Sequence, residues 1–143
     1  MTFEEILARD GRLVYRNAGT SMNPMIREGR DILVIRPADG KLKRLDIPLY
    51  KRDSGEYVLH RIIRIRKDGY VLCGDNRYRP EYGVQDRQVI GVLSAVVRDG
   101  REEPVGSFKW KLFAYVWTLL FPARVVAGKS RTVLRRIKKK LRG

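Results

Sequence analysis

Hydrophobic and polar positions along the chain keep two rhythms, and the change comes near Phe108. At the N-terminus Thr2 and Glu5 have the spacing of a capping box, which predicts a short helix over residues 3–9 stopped by Asp10-Gly11. Strand-like patterns follow. Residues 12–16 are short and β-prone, and residues 31–36 form an apolar run of strand length. Residues 46–52 alternate, with Pro48 pushing them toward a sheet edge. Residues 56–66 and 69–74 flank a Lys-Asp-Gly turn and predict a hairpin. Residues 88–98 predict a last long strand with Gly91 as a candidate bulge. Short strands between Gly, Pro and Asp turns argue a compact, mainly β domain over residues 1–107.

From Phe108 the period becomes helical. Residues 112–123 are twelve uncharged residues in a row, short of the roughly 20 that cross a hydrocarbon core. Extending the run to Ala127 admits Arg124 and follows Pro122, and it is still short. Beyond it, Val133, Leu134, Ile137 and Leu141 share one helical face with Lys and Arg elsewhere, a basic amphipathic helix. Residues 108–143 are therefore expected as a hydrophobic and basic tail.

Charge sharpens this division. The net charge is +15, but residues 108–143 hold eleven Lys or Arg and no acid. The first 107 residues keep 20 basic and 16 acidic side chains, close to balance. The charge thus speaks for the tail's partner, an anionic membrane surface or nucleic acid, and not for the chemistry of the domain. The lone Cys73 cannot form an internal disulfide, which fits a reducing compartment. The first apolar run is too short for a signal peptide.

Candidate chemistry centres on Ser21 in "NAGTSMNPMIREGRDILVI". A serine hydroxyl attacks a carbonyl only if a neighbour takes its proton and donors hold the oxyanion. His60 is the only histidine, and strand alternation puts it with Val58 and Ile62 on the buried face. Asp75 and Asp86 both lie downstream in turn-like sequence, and either could orient the imidazole. Taken singly these residues read as turn chemistry, a core histidine, a hairpin corner and a surface pair. Cys73 is a rival nucleophile, though its apolar strand favours a core position.

Together, "GTSMNP", "VLHRI", "GDN" and "DR" resemble the signal peptidase I group of serine proteases over residues 19–97. The match is to the branch of the endoplasmic reticulum and archaea, in which a His-Arg pair replaces the general-base lysine. The resemblance implies a β-rich catalytic domain with Ser21 as nucleophile, His60 as general base and Asp86 as third triad member. It implies support from Asp75, Met22 packed beside the nucleophile, Pro24 fixing the turn, and an oxyanion held by the Ser21 N–H with help from Gly19 and Thr20. No metal or other cofactor is implied, and the substrate would be a peptide or precursor protein.

The chain departs from that group in lacking an N-terminal membrane helix among the 20 residues before Ser21. The tail instead suggests peripheral attachment to the cytoplasmic face of a membrane, with Trp110, Tyr115 and Trp117 at headgroup level, or anchoring through residues 110–127. The competing expectation is that residues 112–121 complete the domain core. Two rival functions remain. A self-cleaving repressor is disfavoured because no room precedes Ser21 for a cleavage site and DNA-binding domain. A non-catalytic basic β module would bind membrane or nucleic acid through the tail, although an apolar stripe is not what a nucleic-acid arm requires.

Overall fold

The capping box forms as its spacing requires. Thr2 Oγ1 accepts from the Glu5 N–H at 3.2 Å, and the Glu5 carboxylate accepts from the Thr2 N–H at 2.8 Å. Helix α1 runs Phe3–Asp10 and ends at Gly11 in the left-handed conformation. The computed structural model describes residues 1–142. After α1 come nine strands: β1 (Leu13–Arg16), β2 (Ile32–Arg36), β3 (Pro48–Lys51), β4 (Tyr57–Leu59), β5 (Arg61–Arg66), β6 (Gly69–Cys73), β7 (Glu81–Val84), β8 (Val89–Arg98) and β9 (Arg101–Pro104).

Every pairing is antiparallel. The larger sheet has the order β1-β2-β8-β3-β4, with β9 paired to the far half of β8, and the smaller has the order β5-β6-β7. The mainly β core with a short N-terminal helix and C-terminal helices agrees with the sequence pattern.

Three details differ from it, while the bulge expected at Gly91 is found. Strand β3 is internal, between β8 and β4, and tolerates Pro48 because that residue opens the strand before pairing with β4 begins. The continuous strand expected over residues 56–66 breaks at His60, where the chain leaves one sheet for the other. Gly91 sits beside a register shift in the β3 pairing, and its lack of a side chain is needed for close approach. A Cβ there would lie 2.7 Å from Arg36 O and from Ile35 Cγ2. Strands β7 and β9 lie in stretches whose turn residues hide them.

Apolar faces of the two sheets bury two clusters. One holds Leu13, Leu33, Ile35, Leu49, Leu93 and Val96, and the other Tyr50, Val58, Ile62, Leu72 and Val84. Each fully buried aliphatic side chain contributes about 1.5–3 kcal/mol.

The tail forms α2 (Phe108–Leu119) and α3 (Phe121–Arg142), which meet at a bend of 59°. No single helix is long and apolar enough to cross a membrane. Trp110, expected at headgroup level, is 2% exposed and belongs to the first core cluster, and Ala114 is also buried. Trp117 also turns inward, onto the protein, whereas Tyr115 faces out. The inner face of α2, with Trp110, Ala114 and Thr118 buried, thus covers the β core. Leu112, Tyr115, Val116, Leu119 and Leu120 face outward, so the alternative expectation for residues 112–121 holds only in part.

Candidate active site

Ser21 lies in the loop between β1 and β2, which folds back on itself. The Asn17 N–H donates to Asp31 O at 3.0 Å and the Gly29 N–H to Asn17 O at 2.9 Å, so the loop closes at its base. Met22, Met25 and Ile26 anchor it in the core. Gly19, with φ 115°, occupies backbone space that side chains rarely adopt, and its N–H donates to Glu28 at 3.1 Å. The Asn23 N–H donates to Thr20 O at 3.1 Å, closing a turn around Ser21, and Pro24 follows through a cis peptide bond. Ser21 is held at the tip, partly exposed.

A second loop, after β6, splints this one. The Asn76 N–H donates to Ser21 O at 2.8 Å and its side-chain amide to Thr20 O at 3.2 Å. Asp75 N meets Met22 Sδ at 3.5 Å. The Asp75 carboxylate makes a bidentate pair with Arg61, both contacts at 2.8 Å, with the two side chains 2% and 3% exposed. The "GDN" and "HR" stretches therefore meet through Asp75 and Arg61. Asp75 supports the Ser21 loop and makes no hydrogen bond to the imidazole.

His60 reaches the same place from the break between β4 and β5. Gly74 shows how close the two segments come: a Cβ there would lie 2.6 Å from Ser21 O and 3.1 Å from His60 Nε2. Ser21 O and His60 Nε2 are thus no farther apart than those two distances laid end to end. Both residues line one cleft of about 810 Å³, walled by Phe3, Tyr15, Leu49, Tyr57 and Leu59, with Arg52, Glu56 and Arg77 among its charged residues. Among the described residues no hydrogen bond joins Ser21 Oγ to His60, and the Ser21 N–H has no hydrogen-bond partner.

Electrostatics keep the imidazole neutral. Burial pushes the His60 pKa down to about 4, opposed by the charge of Glu81. Its Nδ1 is buried without a partner, so no carboxylate fixes the ring in this structure. The Tyr50 ring stands edge-on to it, 6.4 Å between centroids. Tyr50 OH donates to Glu81, which also takes Arg52 Nε at 3.1 Å. Burial raises the Glu81 carboxyl, but hydrogen bonds from Arg52 and Tyr50 outweigh it and hold the group low, so it stays charged. Glu81 escapes sequence reading because it opens β7, in a stretch rich in turn residues. Its one signal is the alternation from Glu81 to Val84.

Asp86 is not brought to the cleft. It lies in a single 3-10 turn before β8, and its carboxylate accepts from Tyr70 OH at 2.5 Å. The Asp86-Arg87 pair also separates, since Arg87 reaches Asp53 at 3.3 Å. Cys73 is buried in β6, and burial pushes its thiol up to about 11, leaving it protonated and outside the cleft lining. Among the described residues no group of three His, Cys, Asp or Glu could hold a metal ion.

The tail bears on this site directly. Trp117 Nε1 donates to Asp75 O at 2.7 Å, and Arg124 donates to Asp75 O and, at 2.8 Å, to Arg77 O. Arg124 stacks 4.4 Å from the Trp117 ring. Gly128 lets α3 lie flat on Tyr78, because a Cβ there would meet that ring at 2.6 Å. The outer side of the splint is therefore gripped at the bend between α2 and α3.

No protein-family model, curated protein or solved structure matches the chain. The functional reading rests on the site itself and on the four short motifs.

Proposed function

We propose that the chain is a serine endopeptidase that cleaves a peptide or precursor protein, with a signal-peptidase-like catalytic domain, Ser21 as nucleophile and His60 as general base. The observation that carries the reading is that the only histidine and the motif serine line one cleft, with Nε2 turned toward the serine loop and the ring kept neutral by burial.

In the proposed reaction Ser21 Oγ attacks the scissile carbonyl carbon while His60 Nε2 takes the hydroxyl proton. Negative charge gathers on the former carbonyl oxygen, within reach of the Ser21 N–H. The imidazolium then gives its proton to the amine nitrogen as the C–N bond breaks. Water, deprotonated by His60 in turn, attacks the acyl carbon, and the imidazolium returns the proton to Ser21 Oγ as the acyl–oxygen bond breaks. Glu81 favours the imidazolium in both halves without touching it, so the site works as a dyad under a remote charge. Asp75 acts by holding Ser21 in place through Gly74 and Asn76. A base with a pKa near 4 is always ready to accept at neutral pH but accepts weakly, which points to modest turnover.

A non-catalytic basic β module is the second reading, favoured by the unpartnered His60 Nδ1 and the absent Ser21–His60 hydrogen bond. Cleavage of a diverse synthetic peptide mixture by the wild type, and not by Ser21→Ala, separates the two.

A further inference from the structure

Helix α2 has two faces of opposite character. Trp110, Ala114 and Thr118 are buried, while Phe108, Leu112, Tyr115, Val116, Leu119 and Leu120 face outward. At 100° per residue those six fall within an arc of about 140°. Leu112 is 50% exposed, Leu119 66% and Phe108 79%. This is an apolar stripe, interrupted by Lys109 in the first turn, on a helix whose other side packs on the core, and isolated exposed apolar residues do not account for it.

Helix α3 continues the theme past the bend. Val126, Val133, Leu134, Ile137 and Leu141 are exposed along one side, and none of its residues is buried. Around both stripes stand ten Lys or Arg besides Arg124, which is turned onto Asp75 and Arg77, with no Asp or Glu after Phe108. A second copy of this face would bring the same cations together and repel. A nucleic acid would neutralise the charge but leave the apolar stripes in water. A bilayer with anionic headgroups satisfies both, burying the stripes at the acyl boundary and pairing the cations with phosphates.

We infer that the outward faces of α2 and α3 form a docking surface for an anionic lipid bilayer, entered by Phe108, Leu112, Leu119 and Leu120 rather than by the inward-turned tryptophans. Because Trp117 and Arg124 at the bend hold Asp75 and Arg77, docking would fix the cleft at a set orientation to the membrane. The inference goes beyond the peptidase reading and does not depend on it.

The test is flotation of the full chain with vesicles of 30% phosphatidylglycerol in phosphatidylcholine, against pure phosphatidylcholine, at physiological salt. The expected result is binding to the anionic vesicles, at least about tenfold weaker on pure phosphatidylcholine and about tenfold weaker for the double variant Leu112→Glu with Leu119→Glu, whose folding is checked by circular dichroism. Both positions face away from the core, so the fold should survive. Lys138→Ser with Lys139→Ser and Lys140→Ser should weaken binding and make it less sensitive to salt. Ser21→Ala should bind like the wild type, so a failed peptidase reading leaves this result intact. The inference is overturned if no vesicle binds, if the α2 variant binds undiminished, if size exclusion shows a dimer that the α2 variant dissolves without any lipid binding, or if duplex DNA is bound and lipid is not.

Discussion

Replacing Asp75 by Asn tests how the site is held. The Asp75–Arg61 pair is buried on both sides, with two contacts at 2.8 Å. Arg61 has further contacts with Leu45 O at 3.3 Å and with the Phe113 ring at 5.9 Å, and neither offsets its charge. Asparagine keeps the shape but turns one acceptor into a donor facing a guanidinium, leaving a positive charge uncompensated in the interior. Breaking a buried pair this way costs about 3–5 kcal/mol, a large part of the roughly 5–15 kcal/mol that stabilises a domain. Urea unfolding should show the midpoint falling by that loss divided by m, with m itself unchanged. The double variant Arg61→Met with Asp75→Leu, which removes both charges together, should recover most of the loss. Where Asp75→Asn is still folded, turnover should fall because Gly74 and Asn76 no longer hold Ser21. A loss under about 1 kcal/mol with full turnover would refute the splint.

Other consequences are as specific. The His60 pKa is depressed from 6.5 to about 4, so the acid limb of kcat/KM should lie near pH 4 and not near 6.5. Between those values the unfolded chain binds the extra proton, so stability is whole above pH 6.5 and is lost as pH falls toward 4, on the order of 3 kcal/mol in all. A pH–rate profile reads the first effect, and acid titration followed by circular dichroism, with His60→Gln as the control, reads the second. Arg124→Ala should lower kcat several-fold with little change in KM or midpoint, because it loosens the Asp75–Arg77 loop while touching no substrate. Gly74→Ala should abolish activity, since the new methyl would press on Ser21 O and His60 Nε2. Asp86→Asn should leave kcat within a few-fold of wild type, as its carboxylate serves Tyr70, whereas Glu81→Gln should lower it and shift the acid limb down further.

Much of the fold was legible because binary pattern dominates it. The alternation over residues 46–52, the Lys-Asp-Gly hairpin turn before β6 and the Thr2–Glu5 spacing needed only neighbours in the chain to be read. The break at His60 was not legible, because apolar residues on both sides continue the strand pattern while the chain changes sheets. The partners of the two aspartates were hidden for a similar reason. Asp75 and Asp86 both sit in turn-like sequence, and only the pairing of β5 with β6 carries Arg61 to the first and leaves the second with Tyr70. Trp110 and Trp117 read as membrane anchors by composition, yet their phase on α2 matches the inner face, which the sequence could reveal only once a core for it to cover was known.

The central claim is that Ser21, with His60 as its base, cuts peptide bonds. The most direct measurement incubates the purified chain with a diverse synthetic peptide mixture at pH 7 and identifies products by mass spectrometry. The account expects a reproducible set of cleavages by the wild type that disappears in Ser21→Ala and His60→Ala, both still folded, and persists in Cys73→Ala. No cleavage by the wild type, or the same products from Ser21→Ala, would contradict it.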